Sequence, residues 1–147
     1  MNVLFDTNVL LDIVLKREPF RTAAANAAEC VFDGRIAGFV SVQSLKDVFY
    51  FVSRVHGEEH AFAIVEKLSV MFKTIGVSSE DSLAVLMSDF SDYEDGLINA
   101  SAVRNGVDAI LTRDGKGFSF SDLLVMCPDD LETYLDSGVA SGKVVVG

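Results

Sequence analysis

Short apolar runs alternate with longer segments of helical periodicity along this chain. The runs that predict strands cover residues 2–5, 36–40, 74–77, 108–111 and 123–126. Because a helix is predicted between most successive runs, the strands are expected to pair in parallel, with helices on both faces of the sheet. We therefore expect a three-layer α/β/α fold around a central, mostly parallel sheet of about five short strands.

Capping residues mark where several of the helices begin. Asp6 and Thr7 are a start signal for a first helix, and Ser41 is a good N-cap for the helix after the second strand. Ser91 and Glu94 form a predicted capping box. By residue number, the expected helices are 7 onward, 21–32, 42–55, 58–72, 78 or 79 through 89, 92–105 and 128–135.

The length and composition predict one domain with a short tail. The chain has 147 residues, half of them apolar, and no linker or repeat divides it. We expect a single domain over residues 1–136. The tail over 137–147 is rich in small residues, and we expect either an edge strand at 144–146 or disorder.

Charge and cysteine content exclude several classes of protein. Twelve Lys and Arg against 22 Asp and Glu leave a formal net charge of −10, which excludes a histone-like or sliding DNA binder. No signal peptide or transmembrane run is predicted, so no membrane partner is expected. Cys30 and Cys127 lack CxxC spacing, which favours reduced thiols and a cytoplasmic location.

Acidic and polar residues follow the predicted strands. Asp6 follows the first strand, Ser41 the second, and Asp114 lies just beyond the strand at 108–111. In a parallel α/β sheet, sites lie beyond the carboxyl ends of the strands. We therefore expect Asp6 and Asp114 to share one edge of the sheet.

Two helices contribute further candidates. Asp92, Asp95 and Asn99 are spaced i, i+3 and i+7, so they are expected along one stripe of their helix. Asp47 is expected on the side of its helix opposite the apolar face. Bringing like charges together at one sheet edge costs energy unless a cation neutralises them.

Each acid also has an ordinary structural explanation. Asp6 could cap a helix, Asp92 and Asp95 could be helix-dipole partners, and Asp114 could be a turn residue. Asp47 could be a rim acid paired with Lys46 or Arg54. Considered separately, these explanations are at least as good as the functional ones, and the argument for a site depends on the acids occurring together.

An oxygen-only donor set without His or Cys suits Mg²⁺ or Mn²⁺ rather than zinc. Such cations serve phosphodiester hydrolysis. A phosphatase of similar fold needs a second Asp two residues after the first, and position 8 is Asn. A P-loop or dinucleotide enzyme needs a glycine fingerprint after the first strand, which the chain lacks.

Four segments, in order, resemble the motifs of the PIN domain family, the nuclease fold of VapC-type toxins. They are VLFDTNVLLD at 3–12, SVQSLKDVFY at 41–50, DYEDGLINAS at 92–101 and DAILTRD at 108–114. The resemblance covers about residues 1 to 135 and is greatest to the small stand-alone bacterial PIN proteins.

The resemblance implies a metal-dependent endoribonuclease and extends to the toxin of a toxin–antitoxin pair. It implies one or two Mg²⁺ or Mn²⁺ ions, an RNA substrate, an antitoxin partner and a homodimer. The catalytic acids it implies are Asp6, Asp47, Asp95 and Asp114, with Asp92 as an auxiliary metal ligand. The polar neighbours it implies are Thr7, Asn8, Ser41 and Asn99. Six basic residues could follow RNA phosphates or could be ordinary surface charges: Lys16, Arg17, Arg21, Arg54, Arg113 and Lys116.

Two positions depart from the family pattern. Asp47 stands where many PIN proteins have Glu, and Gly117 stands where the subgroup often has another acid. The lost carboxylate at position 117 would weaken a second metal site more than the first. The alternative to a nuclease is therefore a PIN-fold interaction module that is catalytically weak or inactive.

Overall fold

Five parallel strands form the central sheet of the computed structural model, which describes residues 1–138. The strands are β1 (Asn2–Phe5), β2 (Ala37–Ser41), β3 (Lys73–Ile75), β4 (Ala109–Leu111) and β5 (Leu124–Met126). Their order is β3-β2-β1-β4-β5, and every neighbouring pair is parallel. The predicted parallel α/β sheet is confirmed.

The direction of strand addition reverses at β1. Leu4 of β1 stands opposite Phe39 of β2 on one side and Ile110 of β4 on the other. From β1 the chain adds β2 and β3 on one side and later adds β4 and β5 on the other side. Open α/β sheets bind ligands in the crevice at such a reversal, beyond the carboxyl ends of the strands.

Helices cover both faces of the sheet. Seven α-helices and two short 3₁₀ turns occur within residues 1–138. The helices are α1 (Thr7–Val14), α2 (Arg21–Phe32), α3 (Val42–His56), α4 (Glu58–Met71), α5 (Ser79–Leu86), α6 (Tyr93–Arg104) and α7 (Leu131–Asp136). The 3₁₀ turns are Gly115–Phe118 and Pro128–Asp130.

Successive side chains of the strands pack alternately into two separate apolar cores. Val3 and Phe5 of β1 face a core built with α1, α2, α3, α4 and α7. Leu4 points to the opposite face, where it packs with Ile98 of α6 and Phe118. This alternation is the expected period of a strand that is buried on both sides.

Most element boundaries lie within a residue or two of those predicted. The second strand begins one residue later than expected, and Ser41 both ends it and caps α3 by accepting a hydrogen bond from the Gln43 N–H. The helix expected through residue 89 ends at Leu86. The helix expected over 128–135 is divided into a 3₁₀ turn and α7.

The capping box predicted from Ser91 and Glu94 is wrong. The N-cap of α6 is Asp92, whose Oδ1 accepts a hydrogen bond from the Asp95 N–H at 3.0 Å. Asp92 lies one position after Ser91 and its carboxylate satisfies a free N–H of the first turn, so the serine is not needed there.

The edge strand considered for residues 144–146 lies outside the described part of the chain. Within residues 1–138, none of the helices combines the length and the hydrophobicity that crossing a bilayer requires.

Candidate functional site

Acidic side chains line a cleft of about 310 Å³ beyond the carboxyl ends of β1 and β4. The elements that supply them are far apart in sequence: the end of β1, α3, the first turn of α6 and the segment after β4. The five acids that line the cleft are Asp6, Asp47, Glu94, Asp95 and Asp114. The structure therefore brings the four predicted catalytic acids to one cleft and adds Glu94.

Asp6 is held by hydrogen bonds on both carboxylate oxygens. Its Oδ1 accepts from the Thr7 N–H at 2.9 Å, so it caps α1 as predicted. Its Oδ2 accepts from the Thr112 hydroxyl at 2.8 Å and from the Asn8 amide at 3.3 Å. Burial raises the pKa of Asp6, and the hydrogen bonds from Thr112 and Thr7 partly oppose that rise.

Thr112 connects two acids of the cleft. Its hydroxyl donates to Asp6 and accepts from the Asp114 N–H at 3.0 Å. The residue is 2% exposed, so this hydroxyl has little access to water. Sequence reasoning did not single out Thr112. The available signal was a hydroxyl residue directly after a buried strand and two positions before an acid.

Asp95 lies in a strongly negative environment. Burial, followed by the charges of Asp92, Asp6, Asp114 and Glu94, raises the pKa of Asp95 to about 7. Burial disfavours the ionised form of Asp95, and the neighbouring carboxylates add repulsion to that effect. Asp92 contributes this charge and caps α6, but it does not line the cleft.

Gly117 packs against two of the acids. Asp114 is the N-cap of the 3₁₀ turn Gly115–Phe118, and its Oδ1 accepts a hydrogen bond from the Gly117 N–H at 3.3 Å. A Cβ at position 117 would overlap Asp95 Oδ2 and would lie 3.0 Å from Asp114 Oδ2. Glycine at this position therefore lets the turn approach both carboxylates, and a side chain in its place would displace Asp95.

Asp47 and Glu94 line the cleft from α3 and from the first turn of α6. The Asp47 side chain is 29% exposed and its Oδ1 lies 3.7 Å from the Lys46 Nζ. This pairing with Lys46 is the rim ion pair that the sequence left open as an alternative. Glu94 was expected only as a capping residue. Its position one residue before Asp95 in the first turn of α6 was the signal for a place in the site.

The predicted polar neighbours divide into two pairs. Thr7 and Asn8 line the cleft, and the Thr7 hydroxyl donates to Ser44 at 2.8 Å. Ser41 is buried as the cap of α3 and does not line it. Asn99 accepts a hydrogen bond from Ser121 and lines a different groove, between α5 and α6.

The predicted basic residues are also divided. Arg17 lines the cleft. The Arg113 guanidinium is instead bound to buried Asp12, with Nε–Oδ2 at 2.6 Å, and stacks over the Phe20 ring at 3.8 Å. Arg54 donates to the Tyr50 hydroxyl at 2.9 Å. The exposed residues Lys16, Arg21 and Lys116 do not line the cleft.

The carboxylate oxygens at the cleft are the type of ligand that a hard divalent cation prefers. Carboxylate oxygens without a thiolate or an imidazole favour Mg²⁺ or Mn²⁺. Within residues 1–138, no three His, Cys, Asp or Glu side chains already stand close enough together to form a metal site. The acids therefore share a cleft and repel one another, but their side chains do not stand as a finished ligand shell.

Solved structures with a similar fold include toxin–antitoxin complexes. VapBC2 of Rickettsia felis, solved with a promoter DNA fragment, superposes with a TM-score of 0.66 at 15% identity over 86% of this chain and 98% of that chain. A toxin–antitoxin complex of Klebsiella pneumoniae gives 0.65 at 23% identity over 86% and 97%. Mycobacterium tuberculosis VapC20, described as a toxin that cleaves the sarcin-ricin loop, gives 0.62 at 14% identity over 80% and 93%.

Sequence comparison identifies the family directly. No curated protein matches the chain. The sequence profile of the PIN domain, however, matches residues 2–116, a span that includes the four acids predicted for the cleft. The chain belongs to the PIN domain family.

Proposed function

We propose that this PIN domain is a metal-dependent endoribonuclease that hydrolyses RNA phosphodiester bonds. The observation that carries the proposal is the meeting of Asp6, Asp95 and Asp114 in one cleft at the sheet edge. Holding these like charges together is unfavourable unless a cation compensates them. Oxygen ligands of this kind suit Mg²⁺ or Mn²⁺, as one ion or two.

The proposed ligands are Asp6, Asp95 and Asp114, with Asp92 as an auxiliary acid and Asp47 as a further catalytic acid. When bound, the cation would activate water and neutralise charge on the phosphate that is attacked. Thr112 and the Thr7 N–H would hold the Asp6 carboxylate in place. The raised pKa of Asp95 means that this side chain keeps its proton readily until a positive charge compensates the anion.

We also propose that the chain is the toxin of a toxin–antitoxin pair. Support comes from the fold, which is shared with toxins solved in such complexes, including those of Rickettsia felis and Klebsiella pneumoniae. An antitoxin protein, a homodimer and a cytoplasmic location belong to this proposal. The exposed Tyr50, Phe51 and Phe62 on α3 and α4 offer apolar surface for a protein partner.

The nuclease proposal is tested with the purified full chain and labelled RNA. Cleavage should require Mn²⁺ or Mg²⁺ and should stop with EDTA. Asp6→Asn should lower the rate by more than about 100-fold, because even the loss of an outer partner of a metal ligand costs 10- to 100-fold. Asp89→Asn removes the same charge from an exposed site outside the cleft and should cleave as the parent does.

A PIN-fold interaction module is the second candidate. It is favoured by the open ligand arrangement within residues 1–138, by the Lys46 pairing of Asp47 and by glycine at position 117. Calorimetric titration with Mn²⁺ separates the two candidates. The module would be supported, and the nuclease contradicted, if the parent binds Mn²⁺ but shows no RNA cleavage that is lost in Asp6→Asn.

A further inference from the structure

We propose that Arg17 binds a phosphate group of the RNA at the rim of the acidic cleft. This inference rests on the proposed function and assigns a substrate-positioning contact to one residue. Within residues 1–138, Arg17 is the sole Lys or Arg among the residues that line the cleft, beside its five acids. A positive side chain at the cleft lowers the repulsion that an entering polyanion meets from the acids.

The Arg17 guanidinium is available for such a contact. Among the described residues, this guanidinium has neither a hydrogen-bond acceptor nor an ion-pair partner, although carboxylates lie in the same cleft. The planar guanidinium can donate two parallel hydrogen bonds to phosphate oxygens. The side chain is therefore free to meet an incoming phosphate without breaking a contact of the fold.

The backbone around Arg17 is held firmly. Lys16 adopts a left-handed conformation with φ of 54°, which is unfavourable for a residue with a side chain. The Arg17 N–H donates to the Asp12 carbonyl oxygen at 3.1 Å and ties the turn to the end of α1. Strain of this kind persists only where surrounding contacts impose it.

A second anchor lies three residues later. The Phe20 ring lies under the Arg113 guanidinium, which is bound to the Asp12 carboxylate. Arg113 directly precedes Asp114 of the cleft. Both ends of the Arg17 turn are thus fixed to α1 and to the segment that carries Asp114, and this fixes where the Arg17 side chain leaves the backbone.

The same geometry separates Arg17 from the other basic candidates. Arg113 is engaged with Asp12, and Arg54 is engaged with Tyr50. Arg21 is exposed on α2 and does not line the cleft. Arg21 therefore serves as a matched control, because its substitution removes the same charge four residues away from Arg17.

The test is equilibrium binding of a fluorescein-labelled single-stranded RNA of about 12 nucleotides, a length within the range that single-strand binding domains cover. Anisotropy is measured with Ca²⁺ in place of Mg²⁺, and the RNA is checked on a gel for intactness. Arg17→Gln should raise Kd about tenfold, since hydrogen bonds to charged groups are among the strong ones. The slope of log Kd against the logarithm of the salt concentration should be smaller by about 0.7 for this variant than for the parent. Arg21→Gln should change Kd less than about twofold.

Arg17→Lys keeps the charge but loses the planar pair of donors, so its Kd should lie between those of the parent and of Arg17→Gln. Equal binding by Arg17→Gln and the parent would overturn the inference, and so would equal losses in the Arg17→Gln and Arg21→Gln variants. Equal losses in Arg17→Lys and Arg17→Gln would also overturn it, because charge would not be the cause. Cleavage by the parent is assayed separately. If the parent cleaves RNA while Arg17→Gln binds normally, only the Arg17 inference fails, whereas a parent that never cleaves contradicts the proposed function.

Discussion

The Thr112 hydroxyl donates a 2.8 Å hydrogen bond to Oδ2 of Asp6, joining residues at the carboxyl ends of the neighbouring strands β4 and β1. The Thr112 Oγ1 also accepts a hydrogen bond from the Asp114 N–H. One buried hydroxyl thus sets the relative positions of two acids of the cleft. Its removal would affect both acids, although it is not itself a ligand.

Thr112→Val should therefore impair both stability and cleavage. The Asp6 carboxylate and the Asp114 N–H would each lose a partner, which we expect to destabilise the protein by about 1–3 kcal/mol. The cleavage rate should fall by about 10- to 100-fold. Thr112→Ser keeps the hydroxyl and should stay near the parent in thermal unfolding and in rate. Cleavage by Thr112→Val at the parent rate would contradict the assigned role.

Gly117→Ala should disturb the acids more than the fold. The new Cβ would overlap Asp95 Oδ2, and this carboxylate must move to accommodate it. We expect Mn²⁺ affinity and cleavage to fall by about tenfold. Gly115→Ala is the matched control, because a Cβ there meets no atom within 4 Å. Calorimetry and cleavage rates check the pair, and equal behaviour of the two variants would show that the approach to Asp95 does not matter.

The contribution of Asp95 to the stability of the metal-free protein should fall as pH rises from about 4 to about 7. The pKa of Asp95 is about 7 in the folded protein and near 3.8 in a model peptide, so the folded state holds a proton that the unfolded state has lost across this window. The favourable contribution of Asp95 is complete at pH below the pKa of the unfolded state, near 3.8. It is lost as pH rises through the pKa of the folded state, about 7.

Comparison with Asp95→Asn isolates this contribution, because the variant cannot ionise there. Without metal at pH 8, the variant should melt a few degrees above the parent, an effect reduced by the partial exposure of the side chain. Thermal unfolding in EDTA from pH 4 to pH 8 measures it. Added Mg²⁺ should stabilise the parent more than the variant. A pH profile shared by both proteins would refute the electrostatic account of Asp95.

Asp12→Asn should be strongly destabilising. Asp12 is fully buried, and both its oxygens accept hydrogen bonds from Arg113, at 2.6 and 3.2 Å. Asn at this position weakens the contact with Arg113, whose side chain is 28% exposed, so we expect a cost of about 3 kcal/mol, at the low end for breaking a buried pair. Asp136→Asn breaks the exposed pair with Arg35 and should change stability little. Urea unfolding compares the two variants, and similar midpoints would contradict the importance of the Asp12 pair.

The sequence was sufficient to predict the fold class because the patterns that specify it are local. Apolar runs of strand length, Ser41 as a cap and the Asp6–Thr7 signal each involve a few neighbouring residues. The meeting of Asp6 and Asp114 in one cleft could also be anticipated, because the ends of parallel strands share an edge. The precise cap of α6 was missed because Ser91 and Asp92 are both good caps and only the backbone geometry decides between them.

Other parts of the site depend on contacts between distant segments and leave no periodic pattern. The Asp12 carboxylate could have faced solvent or substrate, and only the packing of α1 against the segment after β4 pairs it with Arg113. The close approach of Gly117 to Asp95 likewise requires the 3₁₀ turn to meet the start of α6. Asn99 shows the converse, since helical spacing places it near Asp95 while the packing of α6 turns it towards Ser121.

The place of β4 beside β1 has a consequence for synthesis on the ribosome. The acidic cleft takes one wall from the end of β1, residue 6, and another from the segment that carries Asp114. A nascent polypeptide that has not yet emerged past residue 114 lacks that second wall, whatever else has folded. Whatever chemistry the cleft performs can therefore begin only after the segment that carries Asp114 has left the exit tunnel.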